Sequence, residues 1–184
     1  MLLIRVLDWV SGGAPGVLIT WDGMRVYVFR HGIAEDAAPG QDDSTRRLTP
    51  KGIEKLNRIL QTAREAGVRP DMILTSPYVR AVQTAEAAKE ALGFEGELIE
   101  TEVLVPYQNP FDLWREILVH STSGELMVVG HNPLLSDFVC FLTGTPSYGI
   151  VLKKGAIAMV DVLPSSPRPQ GSLVWLLTAR IAGG

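Results

Sequence analysis

From Met24 onward, short apolar runs alternate with segments of helical period, and nearly every junction is marked by a capping residue, a proline or a glycine. This alternation constrains the fold more than any other feature. Arg25-Val26-Tyr27-Val28-Phe29 reads as a buried strand. The next periodic segment has Thr49 as N-cap, Pro50 in the first turn, apolar Ile53, Leu56, Ile59 and Leu60 on one face, and Gly67 as its stop. Asp71 to Thr75 reads as a second strand, and Ser76-Pro77 opens a second helix that ends near Gly93. Glu97 to Glu100 is a third strand, Asn109-Pro110 opens a helix through Val119, and Leu126 to Val129 is a strand running into Gly130-His131. Asn132-Pro133 opens a helix stopped by Gly144. Two strands, Ala156 to Val162 and Leu173 to Ala179, close the chain, joined by a flexible connection over 164–171. The pattern predicts an α/β fold: a three-layer α/β/α sandwich around a mostly parallel central sheet.

In such sandwiches ligands bind beyond the carboxyl ends of the strands. The chemically suggestive residues fall there. Arg30-His31-Gly32 follows the first strand, Ser76 and Arg80 follow the second, and His131 follows the strand ending at Gly130. Two arginines and two histidines suit a phosphoryl dianion. Guanidinium forks bind its oxygens bidentately, a neutral imidazole can attack phosphorus, and a second imidazole can donate to the developing charge. Gly32 would let backbone approach the substrate, and helix starts at Ser76 and Asn132 would add amide donors. Phosphoryl transfer needs mainly positioning and charge stabilisation, which this set supplies without a metal. Each residue also has a plain structural reading. Arg80 suits a solvated helix surface, Gly32 a turn, Ser76 and Thr49 simple caps, and His120 a helix end where the dipole favours a cation. The residues alone leave both readings open.

Composition narrows the field. The chain has 184 residues, 46% of them apolar, enough for one domain with one good core. The net charge of −3 gives no electrostatic footprint for nucleic acid or an anionic membrane. Cys140 is the single cysteine, so neither an internal disulfide nor a cysteine zinc site is expected, and it reads as a packing residue. No run reaches the length of a membrane span. Met1 to Val10 is interrupted by Arg5 and Asp8 and makes a poor signal peptide. The expected setting is cytoplasmic.

The motifs have a wider resemblance. Arg30-His31-Gly32 resembles the signature of the histidine phosphatase superfamily, also called phosphoglycerate mutase-like. Leu48-Thr49-Pro50-Lys51-Gly52 is similar to that family's L-T-x-x-G helix start. Thr75 to Glu86 resembles its S-P-x-x-R-A-x-Q-T-A segment, and Gly130-His131-Asn132-Pro133 its second-histidine motif. The four blocks run in order through most of residues 24–184, which form the expected domain. The resemblance implies a phosphoglycerate mutase-like fold and no cofactor. It implies that His31 is the phospho-accepting nucleophile, that Arg30 and Arg80 bind phosphate, that His131 completes the pocket, and that Gly32 belongs to the signature turn. Phospho-His31 is then hydrolysed by water.

Residues 1–23 have no counterpart in the resemblance. They read either as a start assigned too far upstream or as an extra element, with a short strand over Val17 to Thr20. Pro106 stands where mutase-like members carry their acid. Glu102 is nearby and is a candidate acid, although Glu100 and Glu102 suit exposed strand-end charges equally well. A phosphohistidine leaves through nitrogen and depends less on an acid than an alkoxide does. Together with a short lid and the run Leu152-Lys153-Lys154-Gly155-Ala156, this resembles the SixA-type phosphohistidine phosphatases. The expected partner is then a phosphorylated signalling protein such as a histidine-phosphotransfer domain. The alternatives are a phosphatase of a small phosphomonoester and a non-catalytic phosphate-binding module on the same fold. Arg46 and Arg47 either extend the phosphate or partner site or are solvated loop residues.

Overall fold

The computed structural model describes residues 23–120, 124–163 and 168–183. The elements in chain order are β1 (Met24–Arg30), α1 (Pro50–Glu65), β2 (Met72–Thr75), α2 (Val79–Leu92), β3 (Leu98–Glu100), α3 (Pro110–Val119), β4 (Glu125–Gly130), α4 (Leu134–Thr143), β5 (Ile157–Leu163) and β6 (Gln170–Leu177). The N-terminal extension and its strand over Val17 to Thr20 lie outside the described residues, save Gly23.

The six strands form one sheet in the order β3-β2-β4-β1-β5-β6. The first four are mutually parallel, while β5 and β6 run antiparallel at one side. The sheet is therefore mixed: a parallel core matching the expected crossovers, extended by a terminal antiparallel pair. Side chains alternate along β1 as a two-sided strand requires. Val26 and Val28 join Leu113, Trp114, Ile117, Leu135 and Phe138 from α3 and α4 on one face. Tyr27 and Phe29 join Leu56, Ile59, Leu60, Ala81 and Ala85 from α1 and α2 on the other. These are the three layers. Cys140 is buried in α4, as expected.

α1 begins as its punctuation predicts: Thr49 Oγ1 accepts from the Gly52 amide, and Pro50 occupies the first turn. Gly52 has a further reason to be glycine. A Cβ there would fall far inside van der Waals distance of the Ile33 carbonyl oxygen, which also accepts from the Thr49 amide at 2.9 Å. α1 is thus docked backbone to backbone on the segment that follows His31.

Three local expectations are corrected. Ser76-Pro77 does not open α2, which starts at Val79 with no side-chain cap. Asn132-Pro133 likewise precedes α4, which starts at Leu134. The expected loop over 164–171 gives up its last two residues, because Gln170 and Gly171 pair with Leu163 and Val162. Gly171 has no side chain to mark it as strand, and the neighbouring prolines disguise the pairing.

Candidate active site

The register of three central strands builds the site. Arg30 pairs with Gly130 across β1 and β4, and Thr75 pairs with Val129 across β2 and β4. The next residues continue the ladder: the His31 amide donates to the Gly130 carbonyl at 3.0 Å, and the Ser76 amide to the Val129 carbonyl at 2.9 Å. Three adjacent parallel strands therefore end side by side on His31, His131 and Ser76. The antiparallel β5 brings its preceding turn to the same edge, where the Gly155 amide donates to the His31 carbonyl at 2.9 Å. Arg80 enters from the first turn of α2.

The His31 ring has a defined orientation. Nδ1 lies 2.7 Å from the Gly32 carbonyl oxygen, which can only accept, so Nδ1 carries the proton. Nε2 is then the basic nitrogen, and Arg80 Nε donates to it at 3.3 Å. Burial, more than any other influence, lowers the imidazole from 6.5 to about 3, and the charges of Arg80, Arg30 and Lys154 act in the same sense. The ring is neutral at physiological pH, as a nucleophile must be.

His131 stands beside it, with ring centroids 4.9 Å apart. Its Nε2 is 2.9 Å from Ser76 Oγ. Burial also pushes His131 strongly down, and a charge on His31 would push it further. Ser76, expected as a cap, is instead the partner that holds the second imidazole. Tyr78 packs against His131, and Arg80 lies over the Tyr78 ring.

Arg30 Nη1 donates to the Leu152 carbonyl at 2.8 Å. Its buried Nε has no partner among the described residues, and neither does His131 Nδ1. The residues Arg30 and His131 line a cavity of about 430 Å³ with His31, Asp43, Arg46, Tyr78, Arg80, Pro106, Tyr107, Asn132 and Lys154. Four cations face a single carboxylate among the described residues of that wall. Such a wall suits a dianion, because charge-assisted hydrogen bonds are the strong ones. A larger groove of about 670 Å³ lies between α1 and α2, lined in part by Leu48, Gln61, Arg64 and Glu86, and it contains no imidazole. Among the described residues no group of three or more His, Cys, Asp or Glu is placed to hold a metal ion.

The expected residues divide clearly. His31, Arg30, Arg80 and His131 come together. Gly32 is buried against α1 rather than open to a substrate: a Cβ there would come within 2.7 Å of Leu56 Cδ1 and 3.2 Å of Leu48 Cδ2. Its contribution is the carbonyl that orients His31. Glu102 is exposed in a 3-10 turn, Glu102–Leu104, and is not among the residues lining the cavity. Pro106, at the position expected to carry an acid, does line it. Arg46 reaches the cavity, while Arg47 is exposed and does not line it.

Sequence reasoning missed Asp43. It takes Arg80 on its carbonyl at 2.5 Å and on Oδ2 at 2.7 Å, and Arg46 on Oδ1 at 2.6 Å. Burial alone would raise this carboxyl, but the two guanidinium groups outweigh burial and hold it below its ordinary value. Asp43 lies in a 3-10 turn of a long polar loop, where no periodicity distinguishes one acid from its neighbours.

Comparison with known proteins agrees with this geometry. Residues 26–104 match the model of the histidine phosphatase superfamily, branch 1. A phosphohistidine phosphatase SixA homolog of Haemophilus influenzae is 30% identical over 132 residues, covering 66% of this chain and 78% of that protein. An uncharacterized protein of Picosynechococcus sp. is 34% identical over 136 residues, covering 73% and 82%. The solved structure of the protein histidine phosphatase SixA complexed with tungstate superposes with a TM-score of 0.75 at 26% identity, covering 85% of this chain and 98% of that one. With its phosphoglycerate mutase-like sandwich and its paired histidines at the strand ends, this chain belongs to the histidine phosphatase superfamily, in the SixA-type branch.

Proposed function

We propose that this protein is a metal-independent phosphohistidine phosphatase that works through a covalent phosphohistidine on His31. One observation carries the reading: His31 is locked by the Gly32 carbonyl into the tautomer whose Nε2 is basic, and that nitrogen belongs to a cavity walled by Arg30, Arg46, Arg80 and Lys154. Two relatives bearing the name phosphohistidine phosphatase SixA, from Haemophilus influenzae and Escherichia coli, support the substrate class. The tetrahedral oxyanion tungstate in a structural relative supports the kind of group bound.

In the proposed cycle His31 Nε2 attacks phosphorus, the bond from phosphorus to the substrate nitrogen breaks, and the electron pair leaves with that nitrogen. Arg30 and His131, which line the same cavity, supply donors to the phosphoryl oxygens. Charge stabilisation by preorganised donors of this kind is the largest single contribution in many enzymes. Water then attacks phospho-His31 and releases phosphate. The substrate is a phosphorylated signalling protein, such as a histidine-phosphotransfer domain.

The test is to trap the phosphoenzyme with a phosphorylated histidine-phosphotransfer domain as donor. An acid-labile, alkali-stable label that maps to His31, and is lost in His31→Ala, is the expected result. Turnover of sugar or nucleotide phosphates with none on phosphohistidine would overturn the substrate class. Full turnover by His31→Ala would overturn the mechanism.

A further inference from the structure

The arrangement of Asp43 goes beyond this cycle and rests on the phosphohistidine reading. Arg80 joins two residues of the site: its Nε donates to His31 Nε2, and its Nη1 and Nη2 each donate to Asp43, which leaves a second N–H on each Nη for a substrate. The attacking nitrogen and the Asp43 carboxylate are therefore separated by one guanidinium group on the same wall. A substrate whose phosphorus sits on His31 Nε2 has the first ring of its leaving group within reach of this carboxylate.

Asp43 is also chemically suited to that ring. Its side chain is 51% exposed; Oδ1 takes Arg46 through both Nε and Nη2, while Oδ2 takes only Arg80 Nη2 and retains a lone pair. It is the single carboxylate among the described residues of the cavity wall. Its two arginines keep it ionised, which makes it a poor proton donor and a good acceptor. An alkoxide leaving group needs a donor. A phosphorylated imidazole needs the opposite, because its second ring nitrogen already carries the proton that keeps the departing ring neutral.

We propose that Asp43 is a specificity-determining residue that accepts the N–H of the substrate's phosphorylated imidazole and so selects a protonated phosphohistidine over a phosphate ester. The P–N bond breaks as the His31 Nε2–P bond forms. The electron pair neutralises the ring, and the ring's remaining N–H stays on Asp43, so no proton crosses the site during transfer.

The experiment compares kcat/KM of wild type and Asp43→Asn on two small substrates: phosphoimidazole, whose leaving group carries an N–H, and acetyl phosphate, whose leaving group does not. Asp43→Glu is included as the charge-retaining control, and thermal unfolding confirms that each variant is folded. The expected result is that Asp43→Asn lowers the ratio of the two kcat/KM values, phosphoimidazole over acetyl phosphate, by tenfold or more, and that Asp43→Glu restores part of it. Parallel losses with an unchanged ratio would show that Asp43 only orients Arg80, and would overturn the assignment while leaving the phosphohistidine reading intact. Wild type active on acetyl phosphate but inactive on phosphoimidazole would overturn both.

Discussion

Lowering the pH from 7 to 5 will destabilise this protein through its buried imidazoles, and replacing His31 by glutamine will remove much of that loss. Burial, with the charges of Arg80, Arg30 and Lys154, holds His31 at about 3 in the folded chain, against an ordinary value of 6.5. Unfolding restores the ordinary value. Between these limits the unfolded chain binds a proton that the folded chain refuses. The stability is therefore fully present above pH 6.5 and is lost as pH falls toward 3. Over the interval from pH 7 to 5 the loss from His31 alone comes to about 2 kcal/mol. His131 is shifted in the same direction and adds a loss of the same order. The assay is urea unfolding at both pH values, followed by tryptophan fluorescence, to which the buried Trp114 contributes. With an m-value of about 1.5–2 kcal/mol/M, the pH-induced fall in midpoint should be smaller in His31→Gln by about 1 M. Comparing pH values within each protein cancels the cost of the substitution itself, and carboxylates contribute equally to both. An identical midpoint shift in wild type and His31→Gln would refute the view that His31 is buried neutral.

Two further outcomes follow from the geometry. Gly52→Ala drives a methyl into the Ile33 carbonyl, backbone against backbone. It should cost about 2 kcal/mol and lower kcat as the segment after His31 shifts, measured by thermal unfolding and steady-state turnover. Glu102→Gln should leave kcat/KM within about twofold, since rim charges outside a site contribute little, and a tenfold fall would restore Glu102 as the acid.

What could be read from the chain beforehand depended on periodicity. The parallel strands β1, β2 and β4 are buried on both faces, so they appear as continuous apolar runs, and the polar residues that end them stand out. His31 and His131 were visible for that reason, their roles and that of Arg80 came from the motifs that resemble the family's, and Thr49 was visible because caps are local chemistry. Ser76 looked like a cap because serine before proline usually is one. Its partnership with His131 depends on the pairing of β2 with β4, which is a long-range fact. Asp43 was invisible because two acids precede Ser44 in a loop without period, and only the folded path of the loop brings one of them to Arg80. Gly32 was read for the wrong neighbour: the space it vacates belongs to Leu56, not to a ligand.

The ladder that sets His31, His131 and Ser76 side by side has a consequence for how such a protein can change over time. In the proposed cycle the histidines that would handle phosphorus are extensions of backbone pairing in the middle of the sheet, and altering their spacing means altering the fold. Asp43, Arg46, Pro106 and Tyr107 sit outside the sheet, on connecting segments that carry little of the core. On the reading proposed above, the molecule divides its inheritance: the reaction is written into strand register, and the choice of substrate into loops that selection can revise without endangering the domain.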